Sequence, residues 1–212
     1  MRKFAFAAGL LLAFVTSCNM ENPLLTESKL PYGAPQFDKI RNEHYMPAFE
    51  QGIAEAKAEI DAITDNPEEP TFENTVEAME YAGQTLDRVS GIFFNLLEAD
   101  TNGEMQKIAE EVSPKLTEYS MYVSLNEKLF HRVKAVYEKR ATLGLKQDQM
   151  RILENSYRSF VRNGANLNGE DKAEYSRLSE ELSLAALSFS KNVLVEVLDN
   201  VLTDIADISL CK

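Results

Sequence analysis

The chain has 212 residues, of which 44% are hydrophobic and 26% charged, and this balance excludes both a disordered polymer and a membrane-embedded protein. Its formal net charge of −12 argues against nucleic acid as a partner, because affinity for phosphate backbones comes mainly from lysine and arginine. Cys18 and Cys211 stand near opposite ends of the chain, and neither has a neighbour at metal-ligand spacing. The sequence therefore predicts neither a disulfide framework nor a cysteine metal site.

Residues 1–17 have the pattern of a signal peptide. Arg2 and Lys3 precede an apolar run from Phe4 to Val15. As a helix the run would span about 18 Å, too short for a hydrocarbon core of about 30 Å. The segment from Val15 to Cys18 resembles the lipobox of bacterial lipoproteins, in which the cysteine is acylated.

From this leader we predict that Cys18 is the lipidation site and that residues 18–34 form a lipid-anchored tether. The protein would then be attached to a membrane of the bacterial cell envelope, facing the periplasm or the surface. An ordinary secretory signal with a chance cysteine is the alternative.

The apolar residues of the body recur at intervals of three and four from Tyr45 to Val201, without a sustained alternation of period two. This predicts an all-α fold, an antiparallel helical bundle in which neighbours are joined by short loops. The first helix has an apolar face that includes Phe49 and Ile60, and Asn66-Pro67 ends it.

Five further helices follow in the predicted order. The second runs from about Thr71 to Ala99, and the third runs from Glu104 to about Val123 with a bend or break at Pro114. Ser124 is a candidate cap for the fourth helix, which ends near Thr142. The fifth covers about 147–162, and the sixth and longest covers 170 to about 199.

The residues that carry metal or nucleophilic chemistry are few. His44 and His131 are the only histidines, and neither begins an H-E-x-x-H run, so each is interpreted as a cap or a partly buried polar group. Adjacent carboxylates such as Glu110-Glu111 and Glu180-Glu181 are interpreted as solvated faces, because neighbours on a helix point in different directions. The aromatic stretches at 92–94 and 119–122 are interpreted as core or interhelical contacts rather than a ligand groove.

Four stretches in fixed order resemble the N-terminal helical region of the zinc oligopeptidases that include peptidyl-dipeptidase Dcp and oligopeptidase A. They are Pro35-Gln36-Phe37-Asp38-Lys39-Ile40 with the following Glu43 to Glu50, Pro70-Thr71-Phe72-Glu73-Asn74-Thr75, Phe160-Val161-Arg162-Asn163-Gly164-Ala165, and Phe189-Ser190-Lys191-Asn192-Val193-Leu194.

The resemblance implies that residues 35–212 are the N-terminal half of a larger helical peptidase. In intact members, zinc is held by an H-E-x-x-H helix and a later glutamate of the C-terminal half, and short peptides lose dipeptides from their C-termini. This chain has no counterpart of those positions, so it carries no catalytic residue, no metal ligand and no cofactor of its own. We expect a truncated, inactive part that lacks its C-terminal catalytic half, that has oligopeptides as possible partners, and whose late helices leave an apolar strip exposed for that half.

Two alternatives stay open from the residues. The chain is either part of a cell-envelope peptidyl-dipeptidase or a non-enzymatic helical lipoprotein that binds a peptide or an envelope partner. A third is that the resemblance concerns the fold alone and the task is unrelated.

Overall fold

The structure is a computed structural model that describes residues 22–210, with side chains as far as residue 197. Seven α-helices follow one another, with the bounds Tyr45–Thr64 (α1), Ala78–Tyr81 (α2), Gln84–Ala99 (α3), Gly103–Ser124 (α4), Glu127–Lys139 (α5), Gln147–Arg162 (α6) and Gly169–Leu210 (α7). A π-helical segment, Phe72–Glu77, leads directly into α2, and short 3-10 turns occupy Pro31–Gly33, Asn42–His44 and Arg140–Thr142. The described part of the chain contains no β-strand, so the predicted all-α fold is confirmed.

Part of the segment predicted as a tether is packed onto the helices. Leu24 is 0% exposed in the main core, and Arg88 of α3 donates to its carbonyl oxygen at 3.2 Å. The Asn22 side chain donates to the carbonyl oxygen of His44 at 2.8 Å. The described chain is therefore fixed beside the start of α1 from Asn22 onward.

The main core is formed by α1, α3 and α4. Helices α1 and α3 run antiparallel, since Phe93 lies 4.8 Å from the Tyr45 ring, whereas Gly83 at the opposite end of α3 contacts Glu59. A Cβ on Gly52 would lie 3.1 Å from the Leu86 backbone, so glycine permits this close approach of the two helices. The other fully or nearly buried members of this core include Ala48, Phe49, Ala56, Val89, Ala109 and Val112.

The second predicted helix is two helices, because the helix is interrupted at Ala82 and Gly83. Gly83 has φ +84°, a backbone conformation that residues other than glycine rarely adopt. Its N–H donates to the Glu59 carboxylate at 2.6 Å. Thr71 caps the first part by accepting from the Asn74 N–H at 3.1 Å. Apolar residues recur at helical spacing before and after Gly83, so the sequence pattern did not indicate the interruption.

Helix α4 continues without interruption through Pro114. The predicted break is absent, and residues that follow Pro114 contact helices on two sides of α4. Lys115 pairs with Glu50 of α1 at 3.3 Å, and Thr117 donates to Ser183 of α7 at 2.9 Å. The cap of the next helix is Asn126, which accepts from the Leu129 N–H at 3.0 Å, in place of the predicted Ser124.

Helices α5 and α6 form a second antiparallel pair. Phe130, early in α5, lies 5.9 Å from Phe160, and Tyr137, late in α5, stacks on Tyr157, one turn earlier in α6, with 4.0 Å between ring centroids and 6° between planes. Phe130 and Phe160 share their core with Ile60 and Ile63 from the end of α1. The α5–α6 pair therefore extends the bundle beyond the end of α1.

Helix α7 is the longest element and runs antiparallel to α4. Asn168 caps it by accepting from the N–H groups of Glu170 and Asp171, each at 3.1 Å. Thr117 meets Ser183, and Glu110, earlier in α4, meets Lys191, later in α7, at 2.6 Å. No described helix is long and apolar enough to cross a membrane.

Candidate functional site

The two histidines lie at opposite ends of α1 and cannot share a ligand. His44 precedes α1, and its Nδ1 accepts the Arg41 N–H at 3.1 Å, which confirms the interpretation of His44 as a cap. Asp65 follows α1 and pairs with Lys128 at 2.9 Å, one turn before the exposed His131 of α5. The 20 residues of α1 separate the two sites by about 30 Å.

The described residues contain no group of three or more histidine, cysteine or carboxylate side chains that could hold a metal ion. The residues present therefore do not fit the zinc that the family resemblance implies. Cys18, the predicted lipidation site, lies outside the described residues, as do the predicted signal peptide and Cys211.

A cluster of titratable groups joins α1 to α4. The Tyr122 hydroxyl donates to the Asp61 carboxylate, and this hydrogen bond, with a smaller contribution from burial, raises the pKa of Tyr122 to about 12. The Lys57 ammonium lies 5.3 Å from the Tyr122 ring centroid and pairs with Glu118 at 2.7 Å. That hydrogen bond to Lys57 holds the pKa of Glu118 below its usual value. The cluster is open to solvent and each member is paired within it, so it ties the helices together rather than offering a free acid or base.

Arg132 is the one charged side chain among the buried residues of the described part. Its guanidinium donates to the carbonyl oxygens of Asn66 and Glu68 at 3.0 and 3.2 Å and to the Asn74 side chain at 3.0 Å. It therefore holds the loop between α1 and the π-helical segment against α5. Sequence reasoning missed this role because an arginine on an amphipathic helix looks like a solvent-facing residue.

A cleft of about 510 Å³ lies between α2, α4 and α6. Glu80 is the only charged residue that lines it, and the rest are hydroxyl, amide and apolar side chains, including Ser120, Asn155, Ser159 and Phe160. Asn155 and Ser159 are exposed on the rim. Such neutral groups can both donate and accept, which suits uncharged ligands better than ions.

Helix α7 presents an exposed apolar stripe, defined here as Leu178, Leu182, Ala185, Phe189 and Val193. Leu182 and Phe189 are each 70% exposed. This confirms the expected apolar strip on the late helices.

His131 is exposed, so its interpretation as a cap or a partly buried polar group is wrong. The interpretations of the carboxylate pairs and of the aromatic core residues are confirmed. Glu110 pairs with Lys191 across the surface, and Glu181 with Arg177 along α7, so these carboxylates are solvated ion pairs. Phe93 is 0% exposed, as expected for a core residue. Phe94, beside it, is half-buried and also lines a groove of about 460 Å³ between α3, α4 and α7.

The helical body is similar in sequence to a family of oligopeptidases. A model of the N-terminal domain of neurolysin and thimet oligopeptidase matches residues 49–172. Dipeptidyl carboxypeptidase of Escherichia coli (strain K12) is 42% identical over 173 residues, which are 82% of this chain and 25% of that protein. Oligopeptidase A of Salmonella typhimurium is 27% identical over 175 residues, which are again 82% of this chain and 25% of that protein. The chain thus spans about a quarter of the length of the curated relatives it matches.

The predicted location, lipid-anchored in the bacterial cell envelope, is wrong. The relatives are dipeptidyl carboxypeptidases and oligopeptidases A, among them a probable cytosolic oligopeptidase A and an organellar oligopeptidase A of Arabidopsis thaliana, 24% and 25% identical over 173 residues. The prediction rested on a short apolar run and a four-residue resemblance at Cys18, which carry much less information than a match along most of the chain.

The family is established by the breadth of these matches, which include more than half of the chain in the domain model and all the helices from α2 to α6. The four stretches that suggested the resemblance fall in the helical body that the structure describes. This chain belongs to the neurolysin/thimet oligopeptidase family, of which it carries the N-terminal domain.

Proposed function

We propose that this chain is the N-terminal part of a zinc peptidase that releases dipeptides from the C-termini of oligopeptides. The observation that carries the proposal is the 42% identity to a dipeptidyl carboxypeptidase, against 27% to an oligopeptidase A over a segment of similar length. The relative with the higher identity favours dipeptide release over internal cleavage as the activity of the whole protein.

The described residues support a non-catalytic part in that reaction. His44 caps a helix, His131 is exposed about one helix length away, and the titratable cluster around Tyr122 is internally paired. In the proposed reaction, metal binding and water activation are assigned to the H-E-x-x-H helix that the family resemblance implies, not to these residues. The segment supplies a rigid helical body, held by three apolar cores, on which the rest of the enzyme is built.

The test is a chimaera in which this chain replaces the matched quarter of the Escherichia coli dipeptidyl carboxypeptidase. Dipeptide release from an oligopeptide with a free C-terminus is measured with zinc and after chelation. We expect zinc-dependent release by the chimaera and none by the chain alone. A His131→Ala chimaera is the control, and it should be as active as the parent because His131 is exposed and belongs to no described group that could hold a metal.

Two outcomes would contradict the proposal. A folded but inactive chimaera would show that the segment does not serve this reaction, and peptide binding by the chain alone would then favour the non-enzymatic alternative. Zinc-dependent dipeptide release by the chain alone would show that His44 and His131 had been wrongly set aside.

A further inference from the structure

Two tyrosine rings from neighbouring helices are stacked face to face. Tyr137 of α5 and Tyr157 of α6 lie with 4.0 Å between ring centroids and 6° between ring planes. Aromatic pairs in proteins more often have centroids about 4.5–7 Å apart, in offset or edge-on arrangements. Within the described residues no other pair of tyrosines is stacked. The two phenol rings therefore face each other at contact distance.

Further contacts keep the two rings in place. The Arg140 guanidinium carbon lies 4.0 Å from the Tyr137 ring centroid, and Nη1 of Arg140 donates to the Tyr137 carbonyl oxygen at 2.9 Å. Because Tyr157 lies at the same distance from that centroid, Arg140 covers the opposite face of the Tyr137 ring. Phe130 of α5 also stacks on the Tyr157 ring, with 6.0 Å between centroids. The stack is thus held by α5, α6 and the 3-10 turn that follows α5.

The stack places two oxidisable groups in contact without burying them. Tyr137 and Tyr157 are each half-buried, so a small oxidant in solution can reach the edges of both rings. Two separate phenoxyl radicals react with each other only when they meet, whereas rings that are already in contact need no such encounter. The arrangement therefore favours a reaction between these two side chains over reactions between distant tyrosines.

We propose that Tyr137 and Tyr157 are a site at which a one-electron oxidant links α5 to α6 through a dityrosine bond. Each phenol gives one electron to the oxidant and its hydroxyl proton to water, which leaves two phenoxyl radicals in contact. A carbon–carbon bond then forms between ring positions next to the oxygens, and the hydrogen displaced from each ring moves to the oxygen of the same ring. The product has lost two hydrogen atoms, and two equivalents of oxidant are reduced.

The experiment exposes the whole chain to photochemically generated tris(bipyridine)ruthenium(III), a one-electron oxidant, and maps the products by trypsin digestion and mass spectrometry. Trypsin releases Tyr137 in the peptide Ala135–Lys139 and Tyr157 in the peptide Ile152–Arg158, and each peptide contains one tyrosine. We expect these two peptides to be joined, with a mass two hydrogen atoms below their sum. The yield should not depend on protein concentration, because both rings belong to one chain.

Two phenylalanine variants test the assignment. Tyr157→Phe keeps a ring in the stack but removes the hydroxyl group that yields the radical, so the joined peptide should disappear. Tyr81→Phe is the matched control, because Tyr81 is 64% exposed and lies outside the stack, and it should leave the yield unchanged. Oxidation of the parent chain in concentrated urea should also abolish the joined peptide, because α5 and α6 then separate.

Three distributions of product would overturn the inference. They are an equal yield of the joined peptide in urea, a greater yield of links between other tyrosines in the folded chain, and conversion of Tyr137 and Tyr157 to unlinked products alone. A cross-link that fits the folded chain constrains the unfolded chain and raises the unfolding temperature. A linked protein that unfolds at a lower temperature than the unlinked chain would therefore also overturn the inference.

Discussion

Helix α3 and helix α7 carry similar apolar patterns but meet different surroundings. In α3 the stripe is covered on its buried side by α1 and α4, and Phe93 is 0% exposed. In α7 the face with Ser183 and Leu187 meets α4 and the main core, while the exposed stripe leaves Phe189 70% exposed. An apolar stripe thus predicts a packing surface on a helix. Only the folded structure shows whether another helix of the described chain covers that surface.

The largest expected difference in the free energy of unfolding is between substitutions of Phe93 in α3 and Phe189 in α7. Phe93→Ala should lower the free energy of unfolding by about 3–5 kcal/mol, because it leaves a cavity among the rings of Tyr45, Phe49 and Phe94. Phe189→Ala should change it by no more than about 0.5 kcal/mol, because the side chain is largely in solvent. Urea unfolding of both variants checks this, and similar losses would mean that α7 is covered in the isolated chain.

Substitutions of one glycine at the start of α3 and one at the start of α7 compare the stability of the two regions through the backbone. Gly83→Ala should cost roughly 1–2 kcal/mol, because α3 turns back along α1 through a residue at φ +84°. Gly169→Ala, at the start of α7, has open space around its Cβ and should be neutral or slightly stabilising. Thermal unfolding distinguishes them, and a neutral Gly83→Ala variant would show that the junction between α2 and α3 tolerates a side chain.

The smallest expected effect on stability is at the hydrogen bond between Tyr122 of α4 and Asp61 of α1. Because the pKa of Tyr122 is raised to about 12 in the folded protein, the stability from its bond to Asp61 is fully present below pH 10 and is lost as the pH rises toward 12. Tyr122→Phe should cost roughly 0.5 kcal/mol at neutral pH, since the pair is solvent-screened. Unfolding curves between pH 8 and 12 should show a flatter alkaline decline for Tyr122→Phe; an identical decline in the two proteins would contradict the assignment.

The sequence predicted helices where periodicity is strong and failed where a single backbone position decides. The end of α1 and the bounds of α6 match the prediction closely; for α1 the Asn66-Pro67 stop is a local signal. The interruption at Gly83 was missed because apolar residues recur at helical spacing on both sides of it. Pro114 was expected to bend or interrupt α4, and the helix is not interrupted there.

Some features of the candidate site were predictable from sequence spacing, and others appear only in the folded structure. That the histidines do not form a zinc motif followed from spacing alone, and so did the expectation of an exposed strip on the late helices. The buried role of Arg132 and the polar cleft beside Asn155 arise only when distant loops and helices come together. The location in the cell envelope was wrong because it depended on the first residues of the chain rather than on its folded body.

The stacked pair Tyr137 and Tyr157 gives the molecule an optical reporter. The chain has no tryptophan and eight tyrosines, so its near-ultraviolet spectra come mainly from phenol rings. Two of these rings lie parallel at 4.0 Å across α5 and α6, and coupling between them should produce circular dichroism that the other tyrosines lack. Separation of α5 from α6 would therefore be visible without any label, even while the helical signal of each remains.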